Sequence, residues 1–134
     1  MVEIYPYRPE HEEPLLQMIC GEGEEWAIYW QEPNNWHYRR LLTDSITYVA
    51  MENGQLCGFL RALDDILNLY VCDLLVIEGN RGQGLGNALI SRLREDYPEA
   101  TLYILSGNDE YYEHIGCARE GSVYRYHVEA AAQE

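Results

Sequence analysis

The 134-residue chain has little positive charge: nine lysines and arginines stand against 23 aspartates and glutamates, a formal net charge of −14 at pH 7. Such a field repels nucleic-acid phosphates and anionic lipid surfaces, which argues against either as a partner. It keeps a small protein soluble and could also steer a cationic substrate. Long hydrophobic runs are missing as well. Stretches such as Asp73-Leu-Leu-Val-Ile77 fall far short of the roughly 20 apolar residues that cross a bilayer. The start, Met1-Val-Glu-Ile-Tyr-Pro6, has no basic segment followed by an apolar one and reads as neither a signal nor a transit peptide, so a cytoplasmic location is expected. Cysteine is sparse. Cys20, Cys57, Cys72 and Cys117 are widely spaced without a C-x-x-C pair, which favours buried free thiols over disulfides or metal ligands. His11, His37, His114 and His127 form no i, i+4 pair, and no metal is expected.

What is present suffices for a core. With 47% apolar and 12% aromatic residues the composition excludes a disordered chain, and the length suits a single domain over 1–134. Alternation over 2–7 predicts a strand and the apolar spacing over 11–19 a helix, which Gly21 and Gly23 break. Residues 24–42 read as a second helix interrupted near 33–35. Asn53-Gly54 supplies the two positive φ angles of a type I′ hairpin between strands at 47–52 and 55–63. A turn at Asp64-Asp65 leads to 68–76, whose near-continuous apolar character suits a central strand covered on both faces. Beyond it the pattern predicts a helix over 84–97 ended by Pro98, a strand over 100–105, a short helix over 109–115, a final strand or hairpin over 117–128, and a frayed tail.

The candidate chemistry lies between the central strand and the long helix, in Val76-Ile-Glu-Gly-Asn-Arg-Gly-Gln-Gly-Leu-Gly-Asn87. Glycines at 82, 84 and 86 permit backbone turns and close approach that side chains would block. A glycine-rich turn opening a helix leaves amides without helical partners and adds the positive end of the helix dipole, which together make a cradle for a pyrophosphate. Arg81 adds a fixed charge. A dinucleotide fingerprint beginning at Gly82 would need glycine or alanine where Asn87 stands, and a P-loop would need Lys-Ser or Lys-Thr after the last glycine. Neither condition is met.

Arg81-Gly-Gln-Gly-Leu-Gly86 resembles the Gln/Arg-x-x-Gly-x-Gly/Ala coenzyme A signature of the GNAT superfamily of N-acetyltransferases. Tyr111-Tyr-Glu-His-Ile-Gly-Cys117 resembles the family's aromatic-Tyr-Glu-x-hydrophobic-Gly-Phe segment, again following a strand. The resemblance implies an α/β fold of the α+β type. A single domain would hold a mixed central sheet of six to seven strands, with an antiparallel meander, a splayed parallel pair, and helices on both faces. It implies acetyl-CoA as cosubstrate, with the pantetheine arm bonded like an added strand along Leu74, Leu75 and Val76. Backbone amides across Gly82, Gln83, Gly84, Leu85, Gly86 and Asn87 would hold the pyrophosphate beside Arg81. Acetyl transfer to a primary amine of a small molecule or peptide would then be a positioned direct attack in a ternary complex.

By the same resemblance Tyr112 is the acid that protonates the departing thiolate, a role open to a phenol whose ordinary pKa is about 10. Asp73, on the central strand near the expected thioester, is the candidate base for the amine proton. Glu24, Glu25, Asp64 and Asp65 are alternatives that could instead hold a cationic substrate or simply be solvated. The chain departs from the family twice. Asn108 lies closer to Tyr112 than the family's cofactor-contacting asparagine and is carried over only weakly, and Cys117 stands where the family has phenylalanine.

In the family the first two helices form the acceptor side of the cleft, here 20–42. Trp26, Tyr29, Trp30, Trp36 and Tyr38 could wall a cation or an apolar amine, although the i, i+3, i+4 spacing of Trp26, Tyr29 and Trp30 favours core packing. Many relatives dimerise through their C-terminal strands, which makes 121–128 a candidate homodimer interface. One competing reading is a non-catalytic GNAT-like module that binds acyl-CoA or works through protein contacts. Another is a transferase using a longer acyl-CoA or an acyl-carrier protein, the latter disfavoured by two acidic surfaces meeting.

Overall fold

A computed structural model describes residues 1–126, whose contacts divide into one unit over Met1–Ile104 and another beginning at Leu105. In the first unit, the alternation of half-buried Val2 and Ile4 with exposed Glu3 forms β1 (Val2–Pro6), the edge partner of β2 (Ile46–Glu52). The Asn53-Gly54 turn takes φ of 53° and 79°, the paired left-handed angles that join two strands with matching twist. β3 (Gln55–Asp64) follows it, and β4 (Asn68–Val76) returns antiparallel to β3. β5 (Thr101–Ile104) then pairs parallel to β4. The sheet has five strands in the order β1-β2-β3-β4-β5. The mixed architecture is as expected, while the six to seven strands are not reached among the described residues.

Helices cover both faces. On one side α4 (Leu85–Asp96) lays Leu85, Leu89 and Leu93 on Leu60, Ala62, Leu69 and Val71. On the other, Leu15, Leu16 and Ile19 of α1 (Glu12–Cys20) and Tyr38 and Leu42 of α3 (Asn34–Asp44) meet Val49, Phe59 and Leu75. Each fully buried leucine contributes about 1.5–3 kcal/mol by leaving water. The expected second helix is two: α2 (Ala27–Trp30) stops at Gln31, and α3 begins after Pro33. A proline disfavours the helical region for the residue before it, so the break falls slightly earlier than the sequence pattern suggests.

The second unit contains α5 (Asp109–His114), capped by the Asn108 side chain, which accepts from the Tyr111 N–H at 3.2 Å. Gly116, at φ 101°, lets the Cys117 N–H turn back to the Tyr112 carbonyl at 2.9 Å. Residues 117–126 carry no strand, which corrects the expected strand or hairpin as far as Tyr126. The remainder of that segment, the tail, and part of the candidate 121–128 interface lie outside the described residues. Val123, Tyr124 and Tyr126 in this segment are all exposed. Aromatic and β-branched residues favour strands only where a sheet gives them neighbours to pack against.

All four cysteines are free thiols; Cys57 is buried as expected, whereas Cys72 and Cys117 are half-buried and Cys20 is exposed, contrary to that expectation. Among the described residues, no helix is long and apolar enough to cross a membrane.

Candidate active site

The parallel pairing of β4 and β5 ends at Val71 opposite Ile104, whereas β4 continues to Val76. The two strands therefore part, and the last five residues of β4 have no strand on that side among the described residues. The Ile77 N–H bonds the Cys57 carbonyl at 3.0 Å, which fixes which groups face β3. Backbone direction alternates along an antiparallel pair, so the amides and carbonyls of Asp73 and Leu75 point to β3 and those of Leu74 and Val76 to the open edge. Of the three strand residues expected to meet a cofactor, Leu74 turns its amide and carbonyl there and Val76 its amide, the Val76 carbonyl accepting from Arg81. Leu75 instead puts its side chain into the core beside Phe59.

A single turn of 3₁₀ helix (Glu78–Asn80) carries β4 into the glycine loop. Gly82 and Gly84 have φ of 80° and 81°, angles that side chains rarely tolerate. Gly84 caps α4 in the left-handed conformation, its carbonyl accepting from the Ala88 N–H at 2.9 Å. The Leu85, Gly86 and Asn87 amides precede the first intrahelical bond and are left for an outside acceptor at the positive end of the helix dipole. Gln83 and Asn87 are exposed, while Leu85 and Gly86 are buried and anchor the turn to the core. Arg81 is committed to the protein: its Nε donates to the Val76 carbonyl at 2.7 Å and its Nη2 to Glu22 Oε1 at 2.8 Å.

Asp73 does not face this edge as a free carboxylate. A bulge in β4 opposite Arg61 and Ala62 places Asp73 on the face covered by α1 and α3. There its Oδ2 accepts from Arg61 Nε at 2.6 Å and from the Tyr38 hydroxyl at 2.8 Å. Asp73 and Arg61 are only 4% and 7% exposed, and Arg61 Nη1 also reaches Ser45 Oγ at 3.2 Å. Burial, then the charge of Asp73, pushes the Tyr38 phenol far above its ordinary range. The same two causes push the neighbouring Tyr29 up to about 12. Burial also raises the Cys72 thiol. The sequence reading missed Arg61, although an arginine inside the apolar run of β3, facing an aspartate on the next strand, was a usable signal.

The alternative acids near the meander are used locally. Asp64 Oδ1 accepts from the Ile66 N–H at 2.6 Å, and Asp65 Oδ1 accepts from Leu67 N–H at 3.0 Å and Asn68 N–H at 2.6 Å, the bonds of a tight turn. Glu24 and Glu25 are exposed. Among the aromatics of the first helices, Tyr38 is buried and Trp26, Tyr29 and Trp30 pack onto the core, with Trp26 edge-on to Phe59 at 6.1 Å. Trp36 is 72% exposed and joins no such wall. A cleft of about 360 Å³ lined by Tyr7, Tyr48, Asp96 and Tyr97 lies at the C-terminal end of α4. Twelve residues of helix separate it from the glycine loop, about 18 Å.

In the second unit Tyr112 is half-buried on α5, its ring 5.0 Å from that of Tyr111. Burial, then the charges of Tyr111 and Cys117, pushes its phenol up to about 12. Asn108 Oδ1 is occupied as the cap of α5. No group of three or more potential metal ligands occurs among the described residues.

A family model described as an acetyltransferase (GNAT) domain matches residues 43–117, more than half of the chain. No curated protein matches by sequence. Among solved structures, the chain is similar to a ribosomal-protein-alanine N-acetyltransferase from Brucella melitensis biovar Abortus 2308 (22% identity, TM-score 0.72, covering 96% of this chain and 100% of that one). It is similar to an aminoglycoside acetyltransferase from an uncultured soil metagenomic sample (21% identity, TM-score 0.72, covering 96% and 99%). AAC(6')-Iy, solved with the bisubstrate analogue CoA-S-monomethyl-acetylneamine, is a further likeness (14% identity, TM-score 0.72, covering 96% and 98%). At these identities the structural likeness establishes the fold.

Proposed function

The chain belongs to the GNAT acetyltransferase family, and we propose that it acts as one domain over 1–134 that transfers acetyl from acetyl-CoA to the primary amine of a small molecule or peptide. The observation that carries this reading is the continuity of two backbone features. The open edge of β4 at Leu74 and Val76 runs directly into a glycine loop whose first helical amides have no partner among the described residues. An extended pantetheine arm matches the first and a pyrophosphate the second. With the thioester positioned, an amine attacks its carbonyl carbon, the C–S bond breaks, and the thiolate leaves. Orientation of this kind can contribute as much as about 7–11 kcal/mol.

Tyr112 supplies the proton taken by the departing sulfur. A phenol pushed up to about 12 is fully protonated at neutral pH and regains its proton readily from water. Asp73 is assigned to holding the β4 bulge, because its carboxylate already answers Arg61 and Tyr38. The attacking amine loses its proton to water. Thiol release from acetyl-CoA across a panel of small amines and peptide N-termini tests the reading, with turnover above the amine-free rate as the expected result. Wild-type protein that binds acetyl-CoA and releases no thiol with any amine would favour the non-catalytic module.

A further inference from the structure

Arg81 stands between two claims on its charge. It lies at the mouth of the glycine loop, yet its Nη2 is held 2.8 Å from Glu22 Oε1 and its Nε 2.7 Å from the Val76 carbonyl on the open edge of β4. Glu22 sits in the Gly21-Glu22-Gly23 turn that leaves α1, its N–H bonded to the Ile19 carbonyl at 3.0 Å. The Glu22 side chain is only 18% exposed against 51% for Arg81, so the carboxylate is largely withdrawn from water while the guanidinium keeps an open side. This brings a negative charge up to a cradle otherwise suited to a doubly charged diphosphate, in a chain that already carries −14. A carboxylate there offsets Arg81 when the cradle is empty and opposes any anion that enters it.

We propose that Glu22 and the coenzyme's diphosphate compete for Arg81, which makes Glu22 a positioning residue that lowers coenzyme affinity and ties the acceptor-side turn to an empty cradle. The inference rests on the acetyl-CoA reading of the glycine loop. When the diphosphate takes the guanidinium, the pair that holds Gly21-Glu22-Gly23 to the loop is lost. This turn leads into the 3₁₀ segment Glu24–Trp26, whose Trp26 packs edge-on to Phe59 on the acceptor side of the sheet. Coenzyme loading would therefore loosen the turn that precedes α2 and α3. By reciprocity, an amine that needs this turn released would bind better to loaded protein.

Calorimetry with acetyl-CoA at low salt tests this on wild type, Glu22→Gln, Arg81→Gln and the double variant. Glutamine keeps the shape and a hydrogen bond to Arg81 and removes the charge. Glu22→Gln should bind acetyl-CoA roughly threefold to tenfold more tightly than wild type. The gain should shrink in the Arg81→Gln background, because the competition acts through that guanidinium. Amide exchange gives a second readout on the unaltered protein: acetyl-CoA should speed exchange over 21–26, and Glu22→Gln should show fast exchange there without ligand. Wild type that binds acetyl-CoA while Glu22→Gln binds equally or more weakly, or a 21–26 segment that exchanges more slowly when loaded, would overturn the competition and leave the coenzyme reading standing. Absence of binding by all four proteins would overturn both.

Discussion

Replacing Asp73 by asparagine keeps the side chain's shape and removes its charge, which isolates the effect of a carboxylate held 2.6 Å from Arg61 Nε and 2.8 Å from the Tyr38 hydroxyl. Arg61 is 7% exposed and, among the described residues, keeps only Ser45 as a further hydrogen-bond partner, at 3.2 Å. An uncompensated buried guanidinium costs about 3–5 kcal/mol. That is a large part of the roughly 5–15 kcal/mol that holds a small domain folded. For a chain of this length the loss corresponds to a fall in Tm of roughly 11–18 °C. Thermal unfolding followed by far-UV circular dichroism measures it. Because a pair replaced by apolar residues of similar volume is often neutral, Arg61→Met combined with Asp73→Leu should recover most of the lost stability. An Asp73→Asn protein that melts with wild type and loses turnover would refute this reasoning and return Asp73 to the role of base.

Three further predictions concern chemistry and packing. Tyr112→Phe should lower kcat by about 100-fold or more while acetyl-CoA affinity is unchanged. With the Tyr112 phenol pushed up to about 12, the acid form persists below that pH, so kcat should rise as the amine loses its proton and show no alkaline fall through pH 10. A descending limb centred near pH 9 in wild type would contradict the assignment. Gly58→Ala places a Cβ 2.9 Å from the Leu75 carbonyl oxygen, and overpacking between two paired strands should cost about 1–3 kcal/mol. A urea midpoint equal to that of wild type would show that β3 and β4 can separate without loss.

The parts of the fold legible in the sequence were those written in local chemistry. Asn53-Gly54 specified a turn needing two left-handed residues, and φ of 53° and 79° meet that need. The apolar pattern over 84–97 predicted α4, in which Leu85, Leu89 and Leu93 are buried. The glycine spacing after β4 located a strand-to-helix turn whose first amides are unpaired among the described residues, and the register places it at the end of an open strand edge. What was not legible depends on partners distant along the chain. The Asp73 carboxylate was read by its place on the strand, but its environment is set by Tyr38, 35 residues earlier, and by an Arg61 that meets it only once the β3–β4 register and bulge exist. Arg81 was read as a charge for a phosphate, whereas Glu22, 59 residues away in sequence, holds it. Residues 117–126 had strand-like composition without a strand to pair with, and β-propensity without a neighbour fixes little.

Calorimetric titration with acetyl-CoA, beside free CoA and the Gly84→Glu variant, tests the central claim most directly, since it requires no knowledge of the amine. Gly84 has open space around its Cα and φ of 81°, so glutamate there adds backbone strain and places a carboxylate in the cradle. Circular dichroism shows whether the variant remains folded. Saturable binding of acetyl-CoA by wild type, lost in a folded Gly84→Glu protein, is the predicted result. Folded wild type that takes up neither acetyl-CoA nor CoA would contradict the account.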